Sequence, residues 1–145
     1  MRGVAFRGNS LAAVIDYPDI EPGPEQVLVK LRSSGLCGSD LRRYRGETPN
    51  ENNGQLIRPG HEACGEIVAL GPGVIGLQIG DRIIQPHYEG CRECEYCLTG
   101  WQQLCEVAEK KEYYGGSMHG GHGDYMVVYQ STCVTLPDEV DYEVG

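Results

Sequence analysis

The chain has 145 residues, 40% of them hydrophobic and 23% charged, which suits one compact domain and argues against disorder. Its formal net charge of -9 opposes a nucleic-acid partner, because affinity for phosphate chains rests on Lys and Arg neutralising them. No apolar run approaches the roughly 20 residues needed to cross a bilayer, so no membrane partner is expected.

The N-terminus has no secretory apolar core, since Arg7, Gly8 and Asn9 interrupt the run after Phe6. A cytoplasmic location is the expectation. Reducing cytosol then steers the 7 cysteines away from a disulfide framework and towards thiolate–metal chemistry. The first β-branched run covers residues 27–31 and follows the turn signal Pro22-Gly23-Pro24. Gly35-Leu36-Cys37-Gly38-Ser39-Asp40 comes next, and residues 38–44 predict a short helix capped by Ser39 or Asp40. Arg42, Arg43 and Arg45 form a small basic run that reads as a solvated helix face.

Pro59-Gly60-His61-Glu62 precedes a second strand run at 66–70. Cys37 and His61 together supply one thiolate and one imidazole, which suits a metal that keeps open positions for chemistry. Ser39, two residues from the thiolate, can hold a hydroxyl beside such a metal, and Glu62 is a ligand, a supporting acid or a flanking charge. Residues 71–76 formally spell G-x-G-x-x-G, but Pro72 and the following Leu77-Gln78-Ile79-Gly80 favour a β-turn over a helix. A dinucleotide fingerprint needs that helix, so none is assigned here.

A third strand run lies at 82–85, followed by Cys91-x-x-Cys94-x-x-Cys97 and, seven residues on, Cys105. Four soft ligands in one loop match tetrahedral zinc, with thiolates at about 2.3 Å. An iron–sulfur cluster is the rival occupant and four ordinary thiols the bland one. With four protein ligands the ion has no open position, so its role is to fold the loop. Residues 98–105 predict a helical turn or two. Tyr113-Tyr114-Gly115-Gly116-Ser117-Met118-His119 is a pocket-side candidate in which His119 and His122 either touch substrate or sit exposed. Residues 125–129 form the last strand run, Cys64 and Cys133 read as buried structural thiols, and Asp141 is a plausible N-cap for a helix beginning at the end of the chain. Short strands separated by Gly and Pro turns make the fold mainly β, a sandwich or barrel.

Gly60-His61-Glu62, Gly65, Gly71 and Val74, with Gly80-Asp81-Arg82-Ile83, Gly120-Gly121 and the four-cysteine loop, resemble the zinc-dependent alcohol dehydrogenases of the medium-chain dehydrogenase/reductase superfamily. The resemblance covers essentially the whole chain. It implies a GroES-like catalytic domain over residues 1–145, a partly open β-barrel with short helices and a structural zinc loop, with the Rossmann cofactor domain absent from this chain. It implies a catalytic zinc on Cys37, His61 and Glu62, a proton relay through Ser39, and structural zinc on Cys91, Cys94, Cys97 and Cys105. Tyr44 resembles a substrate-facing tyrosine of polyol dehydrogenases, with plain barrel packing as the other reading. The reaction implied is hydride transfer from an alcohol, polyol or amino alcohol to NAD or NADP, with zinc as Lewis acid. The full-length protein would act on a small-molecule alcohol and form a homo-oligomer, and the fragment alone would be inactive. A stand-alone zinc-binding interaction module on the same barrel is the alternative. One departure is Arg42, which stands where many members have a relay histidine.

Overall fold

The computed structural model describes residues 1–107 and 112–145. The chain opens with a hairpin, β1 (Arg2–Gly8) and β2 (Leu11–Asp16), whose two turn residues Asn9 and Ser10 both take positive φ (52° and 60°). That turn geometry matches the right-handed strand twist and explains why a polar pair sits there.

The main body is an antiparallel five-stranded sheet built from β3 (Gln26–Ser34), β6 (Ala63–Leu70), β7 (Arg82–Gln85), β10 (Tyr125–Tyr129) and β11 (Val134–Thr135). Its order is β10-β3-β6-β7-β11, and it does not close on itself. The four sequence-predicted strand runs all fall inside these strands. Alternation decides which residues face inward: Val27 and Val29 on β3, and Met126 and Val128 on β10, are all buried. Register sets Met126 opposite Val29 and Val29 opposite Ile67, so one row of apolar side chains crosses three strands. Ile83, Tyr114 and Met126 complete the same core.

Short pairs fill the margins: β4 (Glu51–Asn52) with β5 (Gln55–Leu56), and β8 (Tyr88–Glu89) with β9 (Glu112–Tyr113). Helix α1 (Gly38–Arg45) differs in its cap from the sequence reading. Its N-cap is Cys37, and Asp40 reaches back from the first turn to accept the Cys37 N–H at 3.0 Å. Of the turns predicted over residues 98–105, a 3-10 turn forms at Gln102–Leu104, while α2 (Glu95–Leu98) lies earlier and shares only Leu98 with that range. At the C-terminal end Asp141 accepts the N–H groups of Glu143 and Val144, so it caps a single turn rather than a helix. After β6 the Gly71–Gly76 stretch forms turns and no helix, as its proline suggested.

Two pairings position the chemistry. Antiparallel β3 and β6 set Ser34 opposite Ala63, and the Gly35 N–H carries the ladder one step further to the Glu62 carbonyl at 2.6 Å. The exit of β3 therefore delivers Cys37 to the same corner where the approach to β6 delivers His61. On the other side of β6, Ala63 pairs with Gln85 of β7, which brings His87 to that corner as well.

Candidate metal centres

At that corner the donor atoms of Cys37, His61 and Glu62 all lie within 4.8 Å of one another. Cys37 and His61 are partly buried, while Glu62 is exposed. Glu62 lies against Gly35, where a Cβ would come 2.7 Å from Glu62 Oε2 and push that carboxylate aside. Ser39 Oγ is 3.4 Å from His61 Nε2. On the opposite edge of the imidazole, His61 Nδ1 faces Asp40 Oδ1 at 3.7 Å. A carboxylate behind one ring nitrogen fixes the ring and leaves the other nitrogen for a ligand or hydroxyl. Three donors of mixed softness around an open position suit zinc that still has room for a small molecule.

Sequence reasoning missed His87 here and gave Asp40 and His122 other places. Asp40 was visible only as a helix-capping residue, yet it is 1% exposed and its carboxylate lies between Cys37, His61 and His122. His87 stacks on His61 with ring centroids 4.3 Å apart, and Tyr88 stacks on its other face at 4.3 Å. Burial, followed by the neighbouring His61 and Arg43, pushes His87 down to about 4, which keeps the imidazole neutral. His122 is half-buried rather than exposed. It lies behind Asp40, and burial lowers its pKa. Only the chain reversal at Gly120-Gly121 hinted at its position.

The remaining candidates fall elsewhere. His119 accepts the Arg58 N–H at 3.2 Å and meets Tyr17 edge to face, so it is a packing residue. The Tyr44 ring lies edge-on to Phe6 of β1, with centroids 5.7 Å apart. Arg42 is exposed on α1, whereas Arg43 turns back over Tyr113 and donates to the Gly115 carbonyl. Cys64 and Cys133 are protonated by burial, Cys133 being pushed up to about 12.

The second centre is the loop between β8 and β9. Sulfurs of Cys91, Cys94, Cys97 and Cys105 lie within 4.8 Å of one another. Backbone N–H groups point at them: Cys91 N to Cys105 Sγ at 3.3 Å, and Glu93 N and Cys94 N to Cys91 Sγ at 3.4 and 3.2 Å. Such donors stabilise thiolate rather than thiol. The Glu106 and Cys97 N–H groups pull Cys94 down to about 6, whereas burial pushes Cys97 up. Gly90 makes the cradle possible, since a Cβ there would come 2.4 Å from Cys97 Sγ. Four convergent sulfurs with charge-stabilising donors fit a tetrahedral soft metal.

The open sheet thus carries one closed four-thiolate loop and one thiolate–imidazole–carboxylate corner, each a cluster of donors that could hold a metal ion. The model of the alcohol dehydrogenase GroES-like domain matches residues 23–138. An uncharacterized zinc-type alcohol dehydrogenase-like protein of Escherichia coli is 37% identical over 95% of this chain and 40% of its own length. A sorbitol dehydrogenase of Halalkalibacterium halodurans is 36% identical over 92% of this chain and 38% of its own. The cobalt- and zinc-bound thermostable alcohol dehydrogenase of Pyrobaculum aerophilum superposes with a TM-score of 0.83 at 30% identity, covering 98% of this chain and 42% of that one. The chain belongs to the alcohol dehydrogenase GroES-like domain family, and it spans about 40% of the length of the relatives it matches.

Proposed function

We propose that this chain is the zinc-binding catalytic domain of an oxidoreductase that transfers hydride from an alcohol or polyol to a nicotinamide cofactor. The observation that carries the reading is the convergence of Cys37, His61 and Glu62 donors within 4.8 Å beside the Ser39 hydroxyl. Cys37, His61 and Glu62 would hold the catalytic zinc, and Cys91, Cys94, Cys97 and Cys105 the structural one. Zinc bound at the first site supplies Lewis acidity to the alcohol oxygen. Ser39 then takes the hydroxyl proton, its Oγ standing at the edge of the site beside His61 Nε2. Asp40 holds the His61 ring from behind, and the neutral His87 covers one ring face so that the imidazole cannot swing. With Arg42 exposed and no histidine at that position, the relay from Ser39 has no imidazole at residue 42 to continue through and would pass its proton on to water. Nicotinamide binding falls to residues outside this chain, a reading supported by relatives more than twice as long and by the helix-free Gly71–Gly76 turn.

Zinc analysis combined with substitution tests the metal assignments. Two classes of bound zinc are expected. Cys97→Ser should remove the tighter class and Cys37→Ser the weaker one. A colourless preparation is expected, and iron with visible absorption would replace the four-thiolate zinc by a cluster. Zinc binding indifferent to Cys37→Ser would overturn the catalytic site. In the complete dehydrogenase, Ser39→Ala should lower kcat by about 100-fold or more.

A further inference from the structure

His122 has no part in the reaction as written above, yet its surroundings are built with care. Residues 58–60 pair with 120–122 through the Gly120 N–H to Arg58, the Gly121 N–H to Gly60 and the His122 N–H to Pro59, at 2.8 to 3.0 Å. This clamps the imidazole directly onto Gly60, the residue preceding His61. A Cβ at Gly60 would lie 2.6 Å from His122 Nδ1, and Gly60 also takes φ +94°. Both features exclude other residues at that position.

The two ring nitrogens are distinguished by their neighbours. Nδ1 lies 2.8 Å from Ser34 Oγ, a contact at the end of β3. When the Ser34 hydroxyl donates to Nδ1, the ring proton sits on Nε2. Nε2 is fully buried, has no hydrogen-bond partner among the described residues, and faces Asp40 Oδ2 at 3.9 Å. A buried donor without a partner is costly, and the carboxylate it faces is an acceptor. Asp40 in turn accepts from the Cys37 N–H and faces His61 Nδ1. Ser34, His122 and Asp40 thus form one line ending on the imidazole of His61.

We propose that His122, oriented by Ser34, is a positioning residue that fixes the Asp40 carboxylate and through it the His61 imidazole at the metal site. The inference rests on the reading of Cys37, His61 and Glu62 as zinc ligands. Partners of this outer kind tune metal affinity by about 10–100-fold. The four-thiolate loop shares none of these contacts and serves as an internal control.

Zinc titration of the full chain against a chromophoric chelator decides the matter. In the wild type, the zinc class removed by Cys37→Ser is the one to follow. His122→Phe should weaken that class by about 10–100-fold and leave the four-thiolate class unchanged. His122→Gln, which restores an N–H directed at Asp40, should recover most of the loss. Unchanged affinity of the Cys37-dependent class in a folded His122→Phe protein would overturn the proposal. Should His122→Phe fail to fold, Ser34→Ala carries the same test: weaker binding supports the proposal and wild-type binding overturns it. A wild-type chain with no Cys37-dependent zinc class removes the metal reading itself, and the proposal with it.

Discussion

Histidine ionisation is the clearest consequence at the scale of single residues. His119 sits between Arg58 and Tyr17, and its burial, followed by the Arg58 charge, lowers its pKa below the ordinary 6.5. The unfolded chain therefore takes up a proton at higher pH than the folded one. Stability contributed by the neutral ring is present above about 6.5 and lost as pH falls through the depressed folded value. His119→Asn keeps an acceptor for the Arg58 N–H and removes the titration. Its urea midpoint should fall less than that of the wild type between pH 7 and pH 5, and parallel profiles would show that His119 is not the responsible group. Site residues differ in how readable they were. Cys37, Ser39, His61 and Glu62 belong to local motifs, so type and spacing announced them. Asp40, His87 and His122 reach the corner from a helix turn, the exit of β7 and the reversal at residues 120–122, and that meeting depends on strand pairing. Nothing in a linear string of residues encodes a ring stacked 4.3 Å from another across two strands.

Glycine placement controls how the elements join. At Gly71 a Cβ would come 1.9 Å from the Gly23 carbonyl oxygen, a backbone atom that cannot swing away. The Gly71 N–H is also held by the Gln26 carbonyl at 2.8 Å, so the turn after β6 is locked against the entry of β3. Gly71→Ala should cost about 1–3 kcal/mol through that overpacking. Gly38 gives the contrast: nothing lies within 4 Å of its would-be Cβ, and it occupies the first position of α1. Gly38→Ala should leave stability unchanged or raise it by about 0.5 kcal/mol, because the unfolded chain loses freedom. Thermal melts of the two variants side by side check both signs. Strand positions in the central sheet were legible because period-two burial at Val27, Val29, Met126 and Val128 leaves a mark in the sequence. The β1–β2 hairpin was not, since β2 alternates only between exposed and half-buried positions. Its one signal was the Gly8-Asn9-Ser10 turn, whose positive φ values suit Gly and Asn.

At the scale of the whole molecule, the described residues have two centres of cohesion. The sheet is held by the Val27, Val29, Ile67, Ile83, Tyr114, Met126 and Val128 cluster. In the second buried cluster the members are Cys91, Cys97 and Cys105 themselves. Leu98, Trp101 and Leu104 of that loop are more than half exposed and contribute little burial to it, and among the partly buried hydrophobics packed on the cluster only Val107 is not a cysteine. A loop whose interior consists of potential ligands would owe its order to the ion they hold. Burial of the sheet core, in contrast, does not involve the thiolates. Removing zinc with a strong chelator should therefore unfold the loop and spare the sheet. Hydrogen exchange is the measurement: amides of Cys91, Cys94 and Cys105 should lose protection on chelation, while those of Val29 and Ile67 keep theirs. Simultaneous loss of protection in both regions would mean that the thiolate loop and the sheet form a single cooperative unit. Retained protection in both would mean that backbone hydrogen bonds such as Leu98 N–H to Cys94 and Trp101 N–H to Tyr96 suffice to order the loop.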